Sequence, residues 1–137
     1  MEQNPLGLNG IDFVEFSSAS PETLHKLFLD FGFSKIAKHP SKNIDLYRQG
    51  GITFLLNYDP ASFGYGFQKA HGPSISAMGW RFKNAESAFH EAVKRGAKPC
   101  VSGDYRRPDG SSVPAIYGIG DSLIYFIDTD FIDTDTK

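Results

Sequence analysis

Along the chain, short runs of strand-forming side chains alternate with stretches whose apolar residues recur at helical spacing. Residues 11–16 (Ile-Asp-Phe-Val-Glu-Phe) partly alternate and are rich in β-branched and aromatic side chains, and the Ser-Ser-Ala-Ser-Pro stretch after them reads as a turn. A strand ending there is expected. Ser20 is placed to cap a helix, and Pro21 suits the first helical position, where a missing donor costs nothing. Leu24, Leu27, Phe28 and Phe31 follow at helical spacing up to Gly32. Beyond it, strands are predicted near 33–38, 44–49 and 52–57, the last two joined through Gly50-Gly51, which suits a tight hairpin. The first half therefore reads β, α, β, β, β.

The same order returns 64 positions later, with Ile75 on Ile11, Trp80 on Phe16, Asn84 on the cap Ser20 and Gly96 on Gly32. The second helix carries Ala85, Phe89, Ala92 and Val93 on one stripe, with Glu86 in the first turn and Lys94 and Arg95 in the last, as the helix dipole favours. Ala97–Val101 can form a strand. A polar, Gly/Pro-rich insert over 102–112 then lengthens the offset to 70, so that Tyr117-Gly118-Ile119-Gly120 answers Tyr47-Arg48-Gln49-Gly50 and residues 122–127 answer 52–57. Two βαβββ modules, about 10–58 and 74–128, predict a single α+β domain over 1–128. Between them, residues 59–73 hold Pro60, Gly64, Gly66 and Gly72 with Phe63, Tyr65 and Phe67, and read as a linker with at most a short helical turn. Its aromatics are expected to pack onto the domain. The acidic stretch from Asp128 onward is short of core formers, and 129–137 reads as a tail or an interdomain linker.

Composition narrows the function classes. With 137 residues, 40% of them apolar and 14% aromatic, the chain is long enough for one real core and has no apolar run of membrane-spanning length. Fourteen basic against sixteen acidic residues leave a net charge of −2, without the clustered basic excess of a nucleic-acid reader. Neither nucleic acid nor membrane is an expected partner. Cys100 is the single cysteine, which excludes an internal disulfide framework or a thiolate zinc cluster and fits a reducing compartment. The first nine residues carry no apolar run of signal-peptide length, so a cytoplasmic location is expected.

The tandem βαβββ pattern resembles the vicinal oxygen chelate superfamily (glyoxalase, bleomycin-resistance and dioxygenase proteins), in which two modules curl into a half-open barrel around a cleft. Three segments carry a closer likeness: residues 71–81 (His-Gly-Pro-Ser-Ile-Ser-Ala-Met-Gly-Trp-Arg), 95–99 (Arg-Gly-Ala-Lys-Pro) and 115–128 (Ala-Ile-Tyr-Gly-Ile-Gly-Asp-Ser-Leu-Ile-Tyr-Phe-Ile-Asp). They resemble the amino-terminal half of bacterial 4-hydroxyphenylpyruvate dioxygenases, and the likeness runs from about Asn4 to Asp128. In that family a second tandem unit holds Fe(II) through two His and one Glu and converts the 2-oxo acid and O2 to homogentisate and CO2 in tyrosine catabolism. The amino-terminal half is the companion without iron. The resemblance thus implies no cofactor in this chain, Fe(II) in a catalytic domain outside it, and that carboxy-terminal domain as partner, with a homo-oligomer as a further possibility.

The same resemblance, applied through the internal repeat, assigns the metal-ligand positions of the superfamily to Phe13, Leu55, Ala77 and Tyr125. Phenyl, isobutyl and methyl groups offer no lone pairs, and a facial triad needs two imidazoles and a carboxylate. No catalytic, cofactor-binding or metal residue is therefore expected here. The histidines do not change this: His25 and His90 lie in helices, His39 in a loop beside Lys38 and Pro40, and His71 in the linker, without ligand spacing.

Alternation places Ile11, Phe13 and Glu15 on one strand face and Ile75, Ala77, Gly79 and Arg81 on the matching one, which would be the cleft side. Glu15, Arg81 and Tyr117 are the candidate cleft-lining residues, with Glu15 and Arg81 able to meet as a charge pair. Val14, Phe16, Met78, Trp80, Phe54, Leu56, Ile124 and Phe126 form the opposite face, expected to receive the helices. Tyr125 reads as filler with a hydrogen-bonded hydroxyl. Gly118-x-Gly120 leads into a strand, which makes it a turn and not a phosphate loop. Arg106-Arg107, flanked by Asp104 and Asp109, reads as a solvated loop. Two other classes stand beside the leading expectation: a free-standing metal-free protein binding a small aromatic or antibiotic-like ligand, and a small metalloenzyme such as a lactoylglutathione lyase or an extradiol dioxygenase. The missing ligands weigh against the last.

Overall fold

The computed structural model of the chain describes residues 3–101 and 103–129. Its elements are β1 (Leu8–Ser17), α1 (Pro21–Asp30), β2 (Ser34–Lys38), β3 (Ile44–Gln49), β4 (Ile52–Asn57), α2 (Phe63–His71), β5 (Ser74–Phe82), α3 (Ala85–Lys94), β6 (Pro99–Cys100), β7 (Ala115–Tyr117) and β8 (Leu123–Ile127). Two compact units emerge, one built on Phe13–Ala77 and the other on the described parts of Met1–Asp12 and Met78–Phe131.

In the first unit the strand order is β2-β3-β4-β1. β3 and β4 form the expected antiparallel hairpin, closed where Gln49 faces Ile52 and Gly50 takes a φ of +57° that a side chain would resist. β1 lies parallel to β4, with Val14 opposite Phe54 and Ser17 opposite Asn57. A parallel neighbour requires a crossover, and α1 is part of it. Phe28 is the buried residue of α1, set against Phe16, Phe54 and Tyr47 at ring-centroid separations of 5.0, 5.2 and 5.1 Å. The expected apolar stripe is narrower than its sequence: Leu27 is 45% and Phe31 72% exposed, because the sheet beneath is already covered by Phe28 and its aromatic neighbours. Ser20 does precede the helix, yet its side chain makes no capping bond; Ser18 Oγ accepts from the Ser20 N–H instead, at 2.9 Å.

The segment expected as a linker contains a nine-residue helix, α2. Ser62 starts it, accepting from the Tyr65 N–H at 3.0 Å, and Phe63 and Phe67 stack one turn apart at 6.4 Å. Gly64 and Gly66 lower its intrinsic propensity, which is why composition pointed away from a helix. His71 consequently ends a helix and does not sit in a linker.

In the second unit the order is β5-β8-β7-β6, so each unit repeats the same arrangement of strands. α3 buries Ala85, Ala88 and Ala92 against Phe82 and Phe126, whose rings stack at 4.6 Å. The expected stripe is shifted: Ala88 replaces Val93 at its centre, and Phe89 packs edge-on to Phe126 at 5.8 Å. Asn84 caps the helix as predicted, accepting from Ser87 N at 3.0 Å. Asp128 adds a second cap through Ala85 N at 2.8 Å, so the acidic stretch begins with a structural residue; residues 130–137 of the expected tail lie outside the described residues. β6 covers only Pro99–Cys100 of the expected 97–101, since Pro99 has no N–H to give and Val101 stands 93% exposed. The Gly118-x-Gly120 turn is a single 3-10 turn over Ile119–Asp121.

Candidate functional site

On the strands of the first unit Ile75, expected on the cleft side with Phe13 and Ala77, is 46% exposed, whereas Phe13, Leu55 and Ala77 are no more than 3% exposed. Glu15, between Phe13 and Ser17 on β1, is buried to the same degree. A carboxylate without water must be answered by hydrogen bonds. Ser76 donates to Glu15 Oε1, Ser17 Oγ lies 2.6 Å from Ser76 Oγ, and Asn57 Nδ2 reaches Glu15 Oε2 at 3.4 Å. The register explains the gathering, because Glu15 lies opposite Leu55 and Ser17 opposite Asn57 in the β1–β4 ladder. Asn57 faces two ways, its Oδ1 accepting from Asp59 N at 3.0 Å and Ser62 Oγ at 3.1 Å. Asp59 in turn receives the Ala61 and Asn43 amides, which hold its carboxyl below the usual carboxylate range.

In the second unit Tyr125 is 1% exposed, its hydroxyl accepting from the Asp104 N–H at 2.9 Å and its ring meeting Tyr105 edge-on at 5.1 Å. Gly103 makes this closure possible, since a Cβ there would stand 2.9 Å from Tyr125 Cε1. Arg81 bonds Asp12 Oδ1 through Nε and Nη2, at 3.1 and 3.0 Å. Tyr117 is half-buried beneath Lys98, whose Nζ lies 5.3 Å from the ring centroid. The Arg106-Arg107 loop is exposed at Arg106 and over 108–112, while the half-buried Arg107 pairs with Glu86 on α3 at 2.9 Å and Asp109 accepts from Ser111 N to fold the turn.

Sequence reasoning named Glu15 and Arg81 but missed their neighbours Ser17, Ser76, Asn57 and Asp12. The available signal was the run of short polar residues closing β1 and the polar Asn57 at the end of an otherwise apolar strand.

The four positions expected to be ligand-equivalent offer no set of donors for a metal. Phe13, Leu55 and Ala77 have no donor atom, and the Tyr125 oxygen is engaged by a backbone amide. Among the described residues, no group of three or more His, Cys, Asp or Glu is arranged to hold an ion. The histidines are locally engaged: His25 Nδ1 meets Tyr47 Oη at 2.6 Å, and His39 Nδ1 accepts from Ser41 and Lys42 amides at 3.1 Å. Burial and, secondarily, Lys42 and Lys38 hold the His39 pKa below its ordinary value. Burial also pushes the Tyr47 hydroxyl up to about 12, helped by the Asp45 carboxylate.

A family described as hydroxyphenylpyruvate dioxygenase, HPPD, N-terminal matches residues 2–136. The chain belongs to this family. Among curated relatives, Protein MelA of Shewanella colwelliana is 56% identical over 128 residues, covering 93% of this chain and 36% of its own length. The 4-hydroxyphenylpyruvate dioxygenase of Pseudomonas sp. (strain P.J. 874) is 41% identical over 126 residues, covering 92% and 35%. A solved xylose isomerase-like TIM barrel/4-hydroxyphenylpyruvate dioxygenase fusion protein is similar at 34% identity and a TM-score of 0.78, over 90% of this chain and 20% of that one. The chain thus spans about a third of the length of the curated relatives it matches, and its α+β, tandem-module fold is that of the vicinal oxygen chelate proteins. Among the described residues no helix is long and apolar enough to cross a membrane.

Proposed function

We propose that the chain is the non-catalytic amino-terminal domain, over about 1–128, of a 4-hydroxyphenylpyruvate dioxygenase, an enzyme of tyrosine catabolism that turns 4-hydroxyphenylpyruvate and O2 into homogentisate and CO2. The iron of that reaction belongs to a carboxy-terminal catalytic domain, which this domain supports as a packed partner. One observation carries the reading: where superfamily relatives present ligands, this chain has buried phenyl, isobutyl and methyl groups and a phenol tied to a backbone amide. A cytoplasmic setting is in keeping with the single, buried Cys100. Exposed apolar residues at the end of α1 and on β4, Phe31 and Ile52 among them, are available for contact with the catalytic domain or with a second copy.

Incubating the isolated chain with Fe(II), ascorbate and 4-hydroxyphenylpyruvate should give no homogentisate, while the same assay on a longer chain carrying the catalytic domain should give it. Product from the 137-residue chain alone would refute the reading. A free-standing binder of small aromatic or antibiotic-like ligands, using Phe13, Tyr125, Glu15 and Arg81, is the weaker alternative, because the first three are each about 1% exposed and Arg81 is paired with Asp12.

A further inference from the structure

Helix α2 departs from the usual amphipathic pattern, since none of its apolar side chains is fully buried. Its buried residues are Gly64 and Gln68, while Phe63 and Phe67 are half-buried and His71, whose ring lies 4.4 Å from Phe67, is exposed. The surface under it is equally polar: Glu15, Ser17, Ser76 and Asn57 are each no more than 1% exposed. A Cβ on Gly64 would stand 2.8 Å from Glu15 Oε1 and 3.0 Å from Asn57 Nδ2, and would collide with Ser17 Oγ. The missing side chain lets the first turn of the helix reach this cluster, setting its positive dipole end beside the Glu15 carboxylate.

The other helices are held differently. α1 is anchored by Phe28 among aromatic rings, and α3 by three alanines on stacked phenylalanines. Undocking either would expose apolar surface to water, which opposes it. Undocking α2 exposes the hydroxyls, amides and carboxylate of this cluster, whose hydrogen bonds water replaces at little net cost, together with the rest of the half-buried Phe63, Tyr65 and Phe67 rings, but no fully buried apolar side chain of the helix. Gly64 and Gly66 weaken the helix further. We propose that α2 is a strap that opens as a unit of its own, baring the Glu15–Ser17–Ser76–Asn57 cluster while α1, α3 and the strands stay folded.

Amide hydrogen exchange on the full chain, followed at increasing sub-denaturing urea, tests this. Amides of Phe67–Ala70 should exchange about 100-fold faster than those of Leu27–Leu29 and Ala88–Ala92, with a urea dependence clearly shallower than theirs, because opening one helix exposes far less surface than unfolding the sheet and its other helices. Ser62→Ala, which removes the cap on Tyr65 N, should speed α2 exchange about fivefold and leave α1 and α3 unchanged. Gly64→Ala should act in the same direction and more strongly; if it does not fold, the Ser62 variant decides. Exchange of Phe67–Ala70 with the rate and urea dependence of the α1 amides, or acceleration of all amides together by Ser62→Ala, would overturn the proposal.

Discussion

Glu15 places a carboxylate where water has no access, and Ser76, Ser17 and Asn57 are the neutral groups that answer it. Removing the carboxylate strands those donors, so Glu15→Ala should lose about 3 kcal/mol in urea unfolding, and Glu15→Gln, which keeps the shape and one acceptor, less than half of that. His39 makes a second prediction. Its pKa is lowered in the folded state by burial first and then by Lys42 and Lys38, so the unfolded chain binds the proton more tightly. The stability it contributes is fully present above the unfolded value near 6.5 and is lost as pH falls through the folded one. Thermal midpoints should therefore decline on acidification below neutrality, and His39→Asn, which retains an acceptor for the Ser41 and Lys42 amides without titrating, should flatten that part of the curve. Individual residues of this kind were poorly legible in the sequence. Glu15 could be placed on the inward face by alternation, but Ser76 and Asn57 belong to its site through strand register, which no local pattern encodes.

At the scale of elements, both β3 and β4 appear within the predicted spans, because β-branched and aromatic runs bounded by Gly50-Gly51 leave little choice. α1 and α3 were equally readable as helices, yet the faces they bury were not. Helical spacing in α1 offers Leu24, Leu27, Phe28 and Phe31, and only contact with the sheet selects Phe28. Phe28→Ala should therefore cost about 3–5 kcal/mol, whereas Phe31→Ser should stay within about 0.5 kcal/mol of the parent, measured by the same unfolding titration. α2 escaped prediction because its glycines, read as loop punctuation, serve a close approach to a polar cluster. Gly103 plays a comparable part at Tyr125: Gly103→Ala should destabilise the chain by about 1–3 kcal/mol, since the added methyl meets the Tyr125 ring.

For the whole molecule, the repeat at offsets of 64 and 70 was the most informative feature of the sequence, because two copies of βαβββ leave few architectures available. Together with the family resemblance, it leads to the expectation that Phe13, Leu55, Ala77 and Tyr125 stand at ligand-equivalent positions; the first three are buried and without donors, and the Tyr125 oxygen accepts from a backbone amide. The central claim is that this domain does not itself hold the iron. The direct measurement is anaerobic equilibrium dialysis of the purified chain against Fe(II), followed by elemental analysis. The account predicts iron at the buffer level, with no stoichiometric retention; one tightly held ion per chain, surviving dialysis against a mild chelator, would contradict it.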